Sequence, residues 1–198
     1  MLKSLLASTL SLVFLLGGTM LFSAQVESAP PTIPLPPDTG ARAATVATTT
    51  TTQAPDYPSQ LSIPSVSINA PIVQVGINAM GEMDVPDGRT KNVGWYKYGT
   101  VPGDIGSAVI DAHVYAAFNK LRYLKVGGDI YVTTDAGKTL HFKVTDSRVY
   151  TLNEVPLQQL FNQNDGRHLN LITCAGKFSS ALNTYDHRLI VYATLVEN

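Results

Sequence analysis

The sequence has a single cysteine and little charge of either sign. Because Cys174 stands alone, the chain forms no intramolecular disulfide and no zinc site built from several cysteines. It has 14 lysines and arginines against 15 aspartates and glutamates, so it lacks the basic surface of a nucleic-acid-binding protein. Its hydrophobic content of 44% is too high for a chain that is disordered throughout. The 198 residues suffice for one domain with additional segments.

Charge is almost absent from residues 1–24, where Lys3 is the one charged side chain. The uncharged stretch Leu5 to Ala24 is about long enough to cross ~30 Å of hydrocarbon as a helix. A cleaved signal needs small residues before the cut, but the possible cuts place Phe22 or Glu27 three residues before it. A retained single-pass membrane anchor is therefore favoured over a signal segment, and both alternatives put the rest of the chain outside the cell.

Large apolar side chains are scarce in residues 25–58, whereas prolines are frequent and threonines fill positions 48–52. Such a segment buries too little surface to offset the entropy lost on ordering. It is predicted to be a disordered, extended linker between the membrane and a folded domain at residues 59–198.

Helical periodicity is rare after residue 59, and short apolar segments separated by turn residues replace it. Many strands with few helices predict a mainly β domain that closes, or nearly closes, into a barrel. Two short helices are predicted, at 118–124 and 157–162. The predicted strands are 62–68, 72–77, 108–110, 130–134, 139–144, 169–173 and 189–195.

The lone cysteine directly follows a predicted strand and precedes an alanine and a glycine, which predicts a position at the barrel rim. Cys174 is either a buried apolar residue or a reactive thiol. A reactive thiol needs a base, and the chain offers His113, His141, His168 and His187. His113 also follows a strand, His141 is predicted on the surface and His168 in a polar turn.

Arg188 precedes the apolar strand 189–195. With a two-residue period it shares a face with Ile190 and Tyr192, while His187 points to the opposite face. Such an arginine is either a solvated strand end or a group that projects over the barrel mouth and stabilises an oxyanion.

These three residues stand in segments that resemble one known family. Residues 170–174 resemble the T-L-x-T-C signature of sortases, with Asn170 in place of the leading threonine. Residues 185–193 resemble the strand that carries the family's arginine, and residues 106–113 the strand that ends in its histidine. With its early strands and loops, the resemblance extends over residues 61–195 in the family's order.

The resemblance implies an eight-stranded β-barrel and a cysteine transpeptidase or endopeptidase of the hydrolase class. Such an enzyme cuts an L-P-x-T-G motif between threonine and glycine and passes the acyl group to an amine. It implies Cys174 as the nucleophile, His113 as general acid and then base, and Arg188 as the oxyanion ligand. No metal and no cofactor are expected.

The resemblance also implies that Thr173, Ala112 and Ala175 contact the substrate. Ala112 and Ala175 replace glycines that the family usually has, and Thr173 to Gly176 with Phe178 is most similar to class F sortases. The implied partners are exported proteins that bear the motif and an amine from a cell-wall precursor or a pilin lysine. A nucleic-acid partner is not expected.

Other interpretations remain open at this point. A secreted thiol peptidase or an L,D-transpeptidase also uses a cysteine, although the Ser-x-Gly-Cys motif of the latter is absent. A non-catalytic, surface-exposed β-barrel that binds peptide or glycan would keep the strands and need none of the three residues. Residues 35–40, Leu-Pro-Pro-Asp-Thr-Gly, are either a chance product of linker composition or a pseudo-substrate.

Overall fold

A computed structural model describes residues 55–197, in which eight strands close into a barrel. Their order around the barrel is β1-β2-β3-β4-β7-β8-β6-β5, and β5 pairs back onto β1. The predicted mainly β, closed barrel is thereby confirmed. The strands are β1 (Pro58–Ile63), β2 (Ile68–Val75), β3 (Val93–Tyr96), β4 (Gly106–Asp111), β5 (Asp129–Thr134), β6 (Thr139–Thr151), β7 (Arg167–Ser179) and β8 (Thr184–Leu195).

The helical segments are short. The helix α1 (Leu157–Asn162) has the predicted bounds. The predicted helix 118–124 is instead a series of turns that ends in a 3-10 helix at Leu121–Tyr123, whose Leu121 is buried. The remaining 3-10 helices are Pro64–Val66 and Leu152–Glu154.

The strand predicted over residues 62–68 is wrong, because the chain leaves the sheet at Pro64. Proline has no N–H for a strand ladder, and Pro64 begins the 3-10 helix between β1 and β2. Ser67 then takes a left-handed conformation, with φ 52°, which turns the chain into β2. The two flanking strands pair antiparallel with each other.

The barrel wall is apolar on both sides around β4, β7 and β8. Ala108, Leu171 and Val191 point into the main core inside the barrel. Val109 and Ile190 point outward, into a second cluster beneath α1. A strand covered on both faces has a continuous run of apolar residues, as β4 and β8 do.

The predicted anchor at residues 1–24 and the predicted linker as far as residue 54 lie outside the described residues. The end of that linker contacts the barrel, because the Tyr57 ring packs 5.6 Å from the Trp95 ring and Pro58 begins β1. Between residues 55 and 197, no helix has the length and apolar character needed to cross a membrane.

Candidate active site

Three neighbouring strands bring the cysteine, the histidine and the arginine together. Strands β4 and β7 run parallel, and Asp111 of β4 pairs with Ile172 of β7. His113 and Cys174 each follow this pair by two residues, which places them side by side. Strands β7 and β8 run antiparallel, and Cys174 lies directly opposite Arg188. Directly opposed residues have Cβ atoms about 5 Å apart.

The three side chains share the outer face of the barrel wall. Arg188 alternates with Ile190 and Tyr192, which belong to the outer cluster, as the two-residue period predicts. His187 belongs to the opposite face of β8, and its Nδ1 lies 2.7 Å from Oδ1 of Asp186.

The prediction that Cys174 lies at the end of its strand is wrong. Strand β7 continues five residues beyond Cys174, to Ser179. The segment that contains Gly176 is not a turn that ends the strand but a bulge within the β7–β8 hairpin. Gly176 has φ +80°, where a side chain would collide with Asp186 and His187. The reactive groups lie on the outer face of the wall, in a cavity that residues of α1 also line.

Two further predictions fail because β7 and β8 are longer than their apolar runs. His168 lies within β7 and not in a turn, and its Nε2 is 2.8 Å from Oδ1 of Asp165. Arg188 does not open its strand, since β8 begins at Thr184. The hairpin pairing holds these polar residues in extended conformation beyond the apolar segments.

A cavity of about 990 Å³ lies over this outer face. Its apolar wall comes from the loop between β2 and β3, from Tyr96 and Ile172, and from Leu157, Leu160 and Phe161 of α1. Its polar lining includes Glu82, Asp111, His113, Thr173, Cys174, Thr184 and Arg188, and Ala112 also lines it. A thiol, an imidazole and a guanidinium in one cavity suit nucleophilic attack on a carbonyl group.

The guanidinium of Arg188 is fixed by its own strand. Its Nη1 donates to the carbonyl oxygens of Tyr185 (2.9 Å) and His187 (3.0 Å), and its Nη2 donates to Oγ1 of Thr184 (3.1 Å). Within residues 55–197 no carboxylate forms an ion pair with Arg188. A positioned and unneutralised cation is what a developing oxyanion requires.

Of the three predicted substrate contacts, Ala112 and Thr173 line the cavity, and Ala175 packs against the inner core. Thr173 is 4% exposed, and its hydroxyl donates to the carbonyl oxygen of Ala112 at 2.6 Å. This hydrogen bond joins β7 to the residue before His113. The Thr173 proton is thus committed to holding the two reactive segments together.

His113 is held between two groups that the sequence did not single out. The Tyr115 ring stacks on the imidazole, with centroids 4.8 Å apart and planes inclined by 17°. On the loop side, a Cβ at Gly88 would lie 3.0 Å from Cδ2 of His113 and 2.9 Å from Cε2 of Tyr115, so a larger residue there would force the two rings to shift. The backbone carbonyl of His113 accepts hydrogen bonds from the N–H groups of Ala116 and Phe118.

Asp111 is a second residue that the sequence did not single out. Its Oδ1 is buried, and it is the one buried side-chain polar atom of the described chain without a hydrogen bond. Burial, with the negative charge of Asp84 as a smaller contribution, raises the pKa of Asp111 to about 8. The signal in the sequence is a carboxyl group at the end of an otherwise apolar strand.

Residues 55–197 contain no group of three or more histidine, cysteine or acidic side chains arranged to hold a metal ion.

Comparison with known proteins gives one family. The family model described as the sortase domain matches residues 61–196. Sortase A from Corynebacterium diphtheriae is 25% identical, with a TM-score of 0.52 over 74% of this chain and 63% of that protein. Sortase C-1 from Actinomyces oris is 26% identical, with a TM-score of 0.54 over 71% of this chain and 72% of that one. No curated protein matches the chain.

Proposed function

The chain belongs to the sortase family, and from that premise we propose that it is an extracytoplasmic cysteine transpeptidase. Its donor substrates are exported proteins with an L-P-x-T-G motif, which it cuts between threonine and glycine. Its acceptor is an amine, from a cell-wall precursor or a pilin lysine. The observation that carries this proposal is the single cavity lined by Cys174, His113 and Arg188.

In the first half of the reaction, the thiol of Cys174 passes its proton to His113, and Sγ attacks the threonine carbonyl of the motif. The guanidinium of Arg188, opposite Cys174 in the sheet, binds the oxygen as it becomes negative. His113 protonates the glycine nitrogen as the C–N bond breaks, which leaves a thioester on Cys174 and a free glycine amine.

In the second half, the acceptor amine attacks the thioester carbonyl. His113 takes the proton from that amine, and the thiolate of Cys174 leaves to regenerate the enzyme. The new amide bond is made without a nucleotide cofactor, because the thioester retains the free energy of the bond that was cut.

The location proposed for the enzyme follows from residues 1–58. Leu5 to Ala24 serves as a single-pass membrane anchor, and residues 25–58 hold the catalytic domain on the outer side of the membrane. The class F assignment is part of the same proposal and rests on residues 173–178.

The test is product analysis of the full-length protein with a library of sorting-motif peptides and several amines. Mass spectrometry is expected to find the peptide cut after threonine and joined to the added amine. The Cys174→Ala variant, with an unchanged circular dichroism spectrum, is the matched control and is expected to give no product. Cleavage by that variant, or no cleavage by the folded wild type, would overturn the proposal.

A further inference from the structure

Around Asp111, the floor of the cavity lacks free backbone groups for a bound peptide. Strand β4 is paired on one side with β3 and on the other with β7, and β7 is paired in turn with β8. An extended peptide brings one N–H and one C=O per residue, and burial without partners is unfavourable. Side chains of the floor must therefore supply its hydrogen bonds.

Asp111 is the polar side chain of that floor without a partner of its own. Its side chain points outward from β4, on the same face as those of Val109 and His113, and it lines the cavity. Gly94 lies opposite it on β3, and a Cβ there would be 2.6 Å from Oδ1 of Asp111. The missing side chain at Gly94 leaves the space that the carboxyl group occupies.

The groups that face Asp111 explain its protonation. The loop between β2 and β3 brings Asp84, whose charge opposes ionisation, and Glu82 also lines the cavity. Strand β3 contributes Tyr96, and β4 itself contributes His113.

Strands β7 and β8 add Cys174 and Arg188 to the cavity, and the α1 residues that line it are Leu157, Leu160, Phe161 and Asn162. None of these groups hydrogen-bonds the carboxyl group in the described chain. With burial and Asp84 holding the pKa near 8, Asp111 is neutral at pH 7 and has one O–H to donate together with oxygens that accept.

We propose that Asp111 is a substrate-binding residue whose carboxyl group hydrogen-bonds a backbone amide of the donor peptide. The contact gives a hydrogen bond to a carboxyl group that lines the cavity and has no side-chain partner in the described chain, and it supplies a partner to a peptide group that the paired sheet cannot reach. This inference rests on the proposed function, since it assigns a contact with the same donor peptide.

The test is peptide binding to the full-length protein in a Cys174→Ala background, which allows binding without turnover. Fluorescence anisotropy at about pH 6.5 is expected to give a Kd about tenfold higher for Asp111→Leu, as for the loss of one hydrogen bond. Asp111→Asn keeps a donor and an acceptor, and it is expected to restore the Kd to within about threefold.

A second arm uses peptides in which one backbone amide at a time is replaced by an ester. One such peptide is expected to lose affinity for the parent protein and to lose none for Asp111→Leu, because the partner is already gone.

Equal affinity of Asp111→Leu and the parent protein for the peptide would overturn the inference. It would also be overturned if every ester substitution raised the Kd equally in the two proteins. If wild type cleaves the peptide in these cases, the proposed function stands and only the contact is wrong. If wild type neither binds nor cleaves any sorting-motif peptide, both proposals fail.

Discussion

Replacing Asp111 by asparagine is expected to stabilise the protein increasingly as the pH rises. The folded protein keeps the Asp111 proton up to about pH 8, whereas the unfolded chain releases it near the ordinary value of 3.8. Raising the pH above about 4 therefore increasingly favours the unfolded state. The contribution of Asp111 to the free energy of unfolding is present in full at low pH and is lost progressively up to about pH 8. Asparagine has no such proton and shows no such loss.

The size of the effect follows from linkage. Each pH unit between the two pKa values costs the wild type about 1.4 kcal/mol of unfolding free energy. Between about pH 5 and about pH 7.5 the advantage of Asp111→Asn should thus grow by up to about 3 kcal/mol. Any difference in stability between aspartate and asparagine at this position that does not depend on pH cancels, because the comparison is between two pH values.

Urea unfolding followed by tryptophan fluorescence measures this change. Trp95 is the sole tryptophan, is 1% exposed and neighbours Gly94, so it reports on this part of the barrel. The exposed Asp84 offers a matched control, because Asp84→Asn lowers the pKa of Asp111 and should reduce the pH dependence. An advantage of Asp111→Asn that is equal at both pH values, or that shrinks as pH rises, would refute the reasoning.

Substitutions at four further positions test the site. Gly94→Ala should destabilise the fold by about 1 to 3 kcal/mol in urea unfolding, because the new methyl group would lie 2.6 to 2.9 Å from three side-chain atoms; an unchanged midpoint would contradict this. Tyr115→Ala should lower kcat about three- to tenfold by releasing the stacked His113 ring, and Tyr115→Phe should restore it; equal losses in both variants would argue for the hydroxyl instead. Arg188→Ala should cost about three orders of magnitude in kcat/KM. His187→Ala, on the opposite face, should retain most activity, and an equally inactive variant would contradict the face assignment.

The strands with regular alternation were predictable from sequence, and so was the closure of the barrel. Strand β3 was missed because it has four residues and includes Gly94, which weakens any strand pattern. The ends of β7 and β8 were missed because the hairpin pairs polar residues well beyond its apolar runs.

The site residues show a similar limit. The faces of Arg188 and His187 follow from the strand period, but the bulge at Gly176 cannot be told from a turn by composition alone. Asp111 and Tyr115 needed the structure, because their significance comes from neighbours on β3 and in a distant loop. Local sequence carries no record of such contacts between distant segments.

The central claim is that one cavity unites the thiol of Cys174 with the imidazole of His113 and the guanidinium of Arg188. Intact-mass spectrometry of the protein, rapidly quenched after mixing with a sorting-motif peptide, tests it most directly. The claim predicts a thioester on Cys174 that contains the peptide through its threonine, and much slower formation of this adduct in His113→Ala and Arg188→Ala. Peptide cleavage without a Cys174 adduct, or adduct formation at the wild-type rate in both variants, would contradict it.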